Sequence, residues 1–260
     1  MKRSKPITPS YGNRGRLNGA DRGVRRVAPT FGKVLHLTGS TKGPERFAVE
    51  SDAERLVVQL LTIDPRVQRM DPQPFQVDLI DGRVLYSQEE VLAAKAKHRG
   101  REGQKFYTPD FRVHWLDSPR TAIEVKLEGY EGTEDYQAVL ALARDILEAN
   151  GYHFERLVIP ANARHPLRGN LPLLAKAAAR KDLWPSPELL TRIEQLCGTQ
   201  VTTVAEVCQA LHMSPNLIPV LLASGAVRAD LFRQPIYGAM PLEAAFGDLT
   251  HLILIHEVAQ

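Results

Sequence analysis

The stretch Phe106-Tyr107-Thr108-Pro109-Asp110-Phe111-Arg112-Val113-His114-Trp115 alternates in character, and so does Thr121-Ala122-Ile123-Glu124-Val125-Lys126-Leu127 after the link Leu116-Asp117-Ser118-Pro119-Arg120. A period of two is the signature of a strand. Tyr107, Pro109, Phe111, Val113 and Trp115 share one side of the first strand; Thr108, Asp110, Arg112 and His114 share the other. In the second, Ile123, Val125 and Leu127 face the core, while Ala122, Glu124 and Lys126 face away. A turn centred near Ser118 places Asp110 across from Lys126 and Arg112 across from Glu124. Asp110, Glu124 and Lys126 then converge on one surface. Plainer readings stand beside this one: Asp110 as a strand-edge polar residue, Glu124 and Lys126 as a same-face ion pair. Against the first, a carboxylate inside an aromatic-rich strand is costly unless it is used or paired. His114 shares the polar face without a defined partner and reads as a satisfied polar residue.

Two carboxylates on adjacent strands, with a lysine two residues beyond the second, form a donor set suited to metal-assisted phosphodiester hydrolysis. Asp110 and Glu124, with the carbonyl of Val125 at the sheet rim, offer hard oxygen ligands to Mg²⁺, for which Mn²⁺ can substitute. The ion polarises a water and relieves charge on the phosphate; the Lys126 ammonium orients that water. A third carboxylate from the preceding helix completes the set. That helix spans residues 51–63, with Leu56, Val57, Leu60 and Leu61 on one face and Pro65 ending it. Ser51 and Glu54 have capping-box spacing, so Glu54 reads either as a helix cap or as the third acid.

Outward from these strands the pattern continues. Pro74–Ile80 and Arg83–Ser87 flank Asp81-Gly82, a hairpin signal. Residues 89–98 read as a helix ending in Lys95, Lys97, His98, Arg99, Arg101 and Lys105, a solvated loop or a phosphate-tracking surface; Arg112 joins it as a candidate DNA contact. Residues 134–149 carry Tyr136, Val139, Leu140, Ala143 and Ile146 at helical spacing and stop at Asn150-Gly151. A strand over 153–160 and a helix over 171–180 follow. The order predicts an α/β fold, a mixed sheet with helices on its faces.

Pro109-Asp110, thirteen residues, then Glu124-Val125-Lys126 resembles the PD-(D/E)xK signature of restriction-endonuclease-like nucleases. With Ser51-Asp52-Ala53-Glu54, Asp64-Pro65-Arg66-Val67, Gln73-Pro74-Phe75 and Tyr107-Thr108-Pro109-Asp110-Phe111, residues 9–160 resemble the TnsA-like endonuclease subunits of heteromeric cut-and-paste transposons. The resemblance implies a restriction-endonuclease-like sheet flanked by helices, with Glu54, Asp110, Glu124 and Lys126 in the catalytic positions. Some members carry Gln where this chain has Glu124. It further implies cleavage of the non-transferred strand at the 5′ ends of the element, beside an RNase H-type (TnsB-like) transposase that acts on the 3′ ends and an AAA+ (TnsC-like) ATPase that couples both to the target. A stand-alone restriction or repair endonuclease and a non-catalytic DNA-binding platform are the alternatives. Intact acids and lysine speak against the platform.

The 260 residues are 43% hydrophobic and 24% charged, ordinary for a globular protein. No apolar run is long enough for a membrane span, and no apolar segment follows Met1-Lys2-Arg3-Ser4-Lys5, so the expected setting is a bacterial cytoplasm, close to the nucleoid, with no membrane partner. Cys197 and Cys208 are the only cysteines and read as reduced thiols. The net charge of +3 hides a gradient: residues 1–46 hold eleven Lys or Arg against Asp21 and Glu45, whereas residues 183–260 hold three arginines against seven carboxylates. Residues 1–46 read as a basic arm that grips nucleic acid or merely solubilises, and 47–182 as the catalytic domain. Residues 183–260 read as a small, mostly helical, winged-helix-like domain with helices over 187–196, 203–212 and 214–223 and a strand pair within 227–236. Val201 to Val227 contains no Lys or Arg, so this domain is expected to dock a protein, the ATPase, rather than DNA. Leu217, Ile218, Val220, Leu221 and Leu222 then either divide between core and partner surface or lie wholly in the core. Gly39-Ser40-Thr41-Lys42-Gly43 lacks the frame of a nucleotide-binding loop.

Overall fold

The computed structural model describes residues 36–260 apart from 131 and 199; most of the basic amino-terminal segment lies outside these. Its last part is folded. Strand β1 (His36–Thr38) pairs antiparallel with β2 (Phe47–Val49). In the turn between them the Ser40 hydroxyl meets that of Thr62 at 2.7 Å and the Lys42 ammonium donates to the Asp64 carbonyl. The Gly-Ser-Thr-Lys-Gly run therefore closes the carboxy-terminal end of a helix.

That helix, α1 (Asp52–Ile63), starts where the Ser51 side chain accepts the Glu54 N–H and is buried on nearly every side, as its apolar run demands. Strand β3 (Val67–Pro72) follows, then the hairpin β4 (Gln76–Asp78) and β5 (Arg83–Leu85). Its loop is four residues, 79–82, wider than Asp81-Gly82 alone, because Gln76 pairs with Leu85 and Asp78 with Arg83. Helix α2 (Gln88–Lys97), with Ser87 and Glu90 in a capping box, precedes β6 (Phe106–Tyr107), β7 (Phe111–Trp115), β8 (Thr121–Leu127), α3 (Glu134–Ala149) and β9 (His153–Ile159).

The fold is mixed α/β. Its main sheet has the order β3-β7-β8-β9, antiparallel except for β9, which returns through α3 to lie parallel to β8. A smaller sheet, β5-β4-β6, takes Phe106 and Tyr107 away from the strand they adjoin in sequence. One face of the main sheet, with Phe111, Val113, Ile123, Val125, Leu157 and Ile159, packs on α1 and on α4 (Pro166–Ala178). On the other face Ala122 and Phe154 meet Leu140, Ala143 and Leu147 of α3 together with Phe75, Val77 and Tyr107. Helix α4 begins five residues before the expected Leu171, since His165 caps it and Pro166 takes its first turn.

The rest is α5 (Pro187–Cys197), β10 (Thr202–Thr203), α6 (Val204–Leu211), α7 (Ile218–Ala223), β11 (Val227–Arg228) and β12 (Pro241–Ala244), with sheet order β10-β12-β11. The second strand of the expected pair thus lies beyond Ile236. Residues 231–236 instead meet Asn170 of α4: its Nδ2 donates to the Leu231 and Gln234 carbonyls, both at 2.8 Å, and its Oδ1 accepts from the Ile236 N–H at 3.0 Å. Ile218, Leu221 and Leu222 join the core shared with the main sheet, and Val220 packs on Ala177 and Ala223. These side chains are core, so α7 offers them to no partner. The carboxy terminus also returns to the sheet edge, where Val158 N–H donates to the Val258 carbonyl at 2.7 Å and Gln260 N–H to the Arg156 carbonyl at 2.9 Å. Among the described residues no helix is long and apolar enough to cross a membrane.

Asn170 is 1% exposed, and replacing it with Leu strands three backbone groups. Each costs roughly 1–3 kcal/mol. Urea unfolding of Asn170→Leu should therefore lose several kcal/mol in a single transition; an unchanged midpoint would mean that residues 183–260 are not part of one cooperative core.

Candidate active site

Glu54, Asp110, Glu124, Val125 and Lys126 line one open cleft of about 410 Å³, together with Glu50, Gln76, Tyr107 and Tyr136. Three elements bring them there. Glu54 comes from the first turn of α1, Asp110 from the residue before β7, and Glu124 to Lys126 from the end of β8.

The register differs from the expected one. Phe111 is opposite Ile123 and Arg112 opposite Ala122, so Asp110 comes level with Glu124 rather than Lys126. The turn is centred one residue earlier, near Asp117, as the pairing of Phe111 with Ile123, Arg112 with Ala122 and Val113 with Thr121 requires. The correction tightens the site. Asp110 N–H donates to the Ile123 carbonyl at 2.9 Å, and Asp110 Oδ2 accepts the Val125 N–H at 2.8 Å. The acid is thereby tied to the peptide group that follows Glu124.

Glu124 is 3% exposed and held at both oxygens. Tyr107 Oη donates to its Oε2 at 2.7 Å, Tyr136 Oη to its Oε1 at 2.5 Å, and Lys126 Nζ lies 2.6 Å from the same Oε1. Glu54 sits at the start of α1 and on the cleft wall. Its Oε1 accepts from the Ser51 hydroxyl at 2.7 Å and its Oε2 from the Glu50 N–H at 3.0 Å, while its carboxylate borders the cleft. Burial raises its pKa, helped by the Glu50 and Glu124 charges and opposed by the Ser51 hydroxyl and the Glu50 N–H. Asp110 is held well above the usual carboxylate range by burial, then by Glu124 and Glu54, against the pull of the Val125 N–H and Lys126.

Among the described residues four carboxylates and one ammonium line the cleft, which makes it hostile to a polyanion unless cations enter. The donors are hard oxygens, and Gln76, 8% exposed, has an Oε1 without a hydrogen-bond partner. That chemistry fits Mg²⁺ or Mn²⁺.

No family model and no curated protein matches the chain.

What the cleft can do follows from its own geometry. The candidate DNA contacts are spread out. Lys95, Arg99 and Arg101 are exposed and Lys105 is half-buried, on a segment whose end, Gln104 and Phe106, reaches the cleft rim. Lys97 is paired with Asp81 at 2.6 Å, and Arg112 with Asp71 at 2.8 Å, deeper along β7. His114 is not satisfied as expected: its Nε2 is buried 3.5 Å from Asp71 Oδ2 with no hydrogen bond. A second group, Asp78, Asp81 and His98, has ligand atoms close enough for an ion. There, however, Lys97 and the His98 ring, 3.0 Å from Asp78, already face the carboxylates, and Arg83 lies just beyond.

Sequence reasoning missed Tyr107, Tyr136 and Gln76. Tyr107 and Tyr136 carry apolar bodies at core positions of their patterns, and only their hydroxyls reach the cleft. Gln76 sits on another sheet and leaves no signal. Arg156, level with Glu124 on β9, also went unread; its charge pulls on the Tyr136 phenol, and its Nε and Nη2 are buried without partners.

The raised Asp110 pKa carries a stability consequence of definite sign. Between the ordinary carboxylate range and the raised value, the folded protein keeps a proton that the unfolded chain has lost, so stability falls as pH rises through that window. Asp110→Asn keeps an oxygen for the Val125 N–H and removes the charge. Its melting temperature should exceed wild type at pH 7.5, by ~2–4 °C per kcal/mol relieved, and the gain should vanish near pH 4. A gain equal at both pH values would exclude charge repulsion as its source.

Proposed function

We propose that this protein is a Mg²⁺-dependent DNA endonuclease of the restriction-endonuclease-like type, serving as the TnsA-like subunit of a heteromeric transposase and cutting the non-transferred strand at the 5′ ends of the element. One observation carries the reading: Asp110, Glu124 and Lys126 share one cleft with Glu54, in the order and spacing of the motif. The opening helix, three antiparallel strands, crossover helix and parallel strand support the nuclease architecture. The order helix, strand, helix, helix, strand, strand with β12 central supports a winged helix for residues 183–260.

Asp110, Glu124 and the Val125 carbonyl would hold the ion, with Glu54 as an additional carboxylate. The ion supplies a Lewis acid that polarises water and offsets charge on the phosphate. The chain's own groups do the rest. Tyr107 and Tyr136 fix the Glu124 carboxylate, the Val125 N–H fixes that of Asp110, and Lys126 brings the positive charge that a phosphorane-like transition state needs. The exposed cations on 95–105 give DNA a path along the rim. The acidic carboxy-terminal unit suits a protein partner, the AAA+ ATPase, reached through surfaces other than α7, such as those bearing the exposed Val201, Tyr237 and Phe246.

Cleavage of element-end DNA with Mg²⁺, with and without a co-encoded RNase H-type transposase, tests the proposal. Strand-specific cuts at the 5′ ends should require the partner, and Asp110→Ala should reduce them by roughly a hundred- to a thousandfold, the order seen when a main electrostatic group is lost, without loss of partner association. Full cutting by Asp110→Ala would remove that residue from the site. Efficient cutting by the wild-type chain alone would instead favour a stand-alone endonuclease.

A further inference from the structure

Among the described residues Lys126 is the cation paired with a cleft carboxylate, its Nζ 2.6 Å from Glu124 Oε1. A divalent ion held by Glu124 repels that ammonium, which then needs another seat if it is to remain in the cleft. We propose that Tyr136 is this seat: a positioning residue whose ring and hydroxyl retain Lys126 when a cation takes Glu124. The proposal rests on the metal reading above.

The geometry is already in place. Lys126 Nζ stands 4.5 Å from the centroid of the Tyr136 ring and 3.2 Å from its hydroxyl. The hydroxyl donates to Glu124 Oε1, so its oxygen keeps a lone pair for the ammonium. One phenol thus touches both members of the ion pair, and the ammonium can shift its weight from carboxylate to ring without leaving the cleft. The seat is also rigid. Tyr136 lies in the first turn of α3, its N–H bonded to the Thr133 hydroxyl at 3.4 Å. Behind it, Gly132 adopts φ +85°, and a Cβ there would come within 2.8 Å of the Tyr136 ring. Glycine serves both the backbone conformation and the close approach.

Two roles are distinguishable. If Tyr136 only braced Glu124, its loss would weaken ion binding equally whether or not residue 126 carries a charge. If it seats Lys126, its loss leaves the ammonium competing for Glu124, and the penalty depends on that ammonium. A double-mutant cycle read by Mn²⁺ affinity, titrated by electron paramagnetic resonance of the free ion, separates them. Asp110→Asn marks the component of the isotherm that belongs to the cleft. With Lys126 present, Tyr136→Leu should weaken cleft binding about tenfold, the order expected for a cation–π contact plus a hydroxyl. In the Lys126→Met background the loss should stay below about threefold on the same scale. Tyr136→Phe, which keeps the ring, should fall between. Equal losses in both backgrounds would overturn the seat and leave the metal site standing. Failure of the wild-type cleft to bind Mn²⁺ would overturn the metal reading and the seat with it.

Discussion

Phe111 stands opposite Ile123, and from that single register follows the crowding of like charges at the end of the sheet. It brings Asp110 level with Glu124 and lets one carboxylate reach the peptide N–H beside the other. Burial, with the Glu124 and Glu54 charges nearby, raises the Asp110 pKa, and that opposes folding at neutral pH. Hydrogen bonds from Val125, Ser51, Tyr107 and Tyr136 and the ammonium of Lys126 offset part of that repulsion. Asp110 and Glu54 are both pushed toward their neutral forms, so a cation in the cleft would relieve that repulsion, which is the physical basis of the proposed metal binding.

The remaining structure holds this arrangement still. Helix α1 is buried almost all round, which fixes the height at which Glu54 enters. Helix α3 crosses from β8 to β9 and brings Tyr136 over Lys126. Helix α4 covers the opposite face and, through Asn170, binds the carboxy-terminal unit to the same core, while Val258 to Gln260 pair along the edge of β9. The carboxy-terminal unit is thus packed on the same core as the strand beside Glu124.

Much of this was legible in the sequence wherever one residue type had one use. The capping pair Ser51 and Glu54, the apolar face of α1, the alternation in β7 and β8 and the stop at Asn150-Gly151 each follow from local rules. The charge-bearing positions Asp110, Glu124 and Lys126 were readable because polar groups in a core-forming strand are costly without a role. What escaped depends on long-range geometry or on amphipathic side chains. The register between β7 and β8 depends on how two strands pair in space, which alternation within either strand leaves open. Tyr107 and Tyr136 fill apolar positions and disclose their hydroxyls only in three dimensions. The apolar run of α7 was consistent with core or interface, and only its packing on α4 and the shared core decides for core.

Anomalous diffraction from crystals soaked in Mn²⁺ addresses the central claim most directly. A peak should lie within ~2.0–2.3 Å of carboxylate oxygens of both Asp110 and Glu124, with the Val125 carbonyl among the ligands. A cleft without a peak, or a peak only at Asp78, Asp81 and His98, would contradict the account.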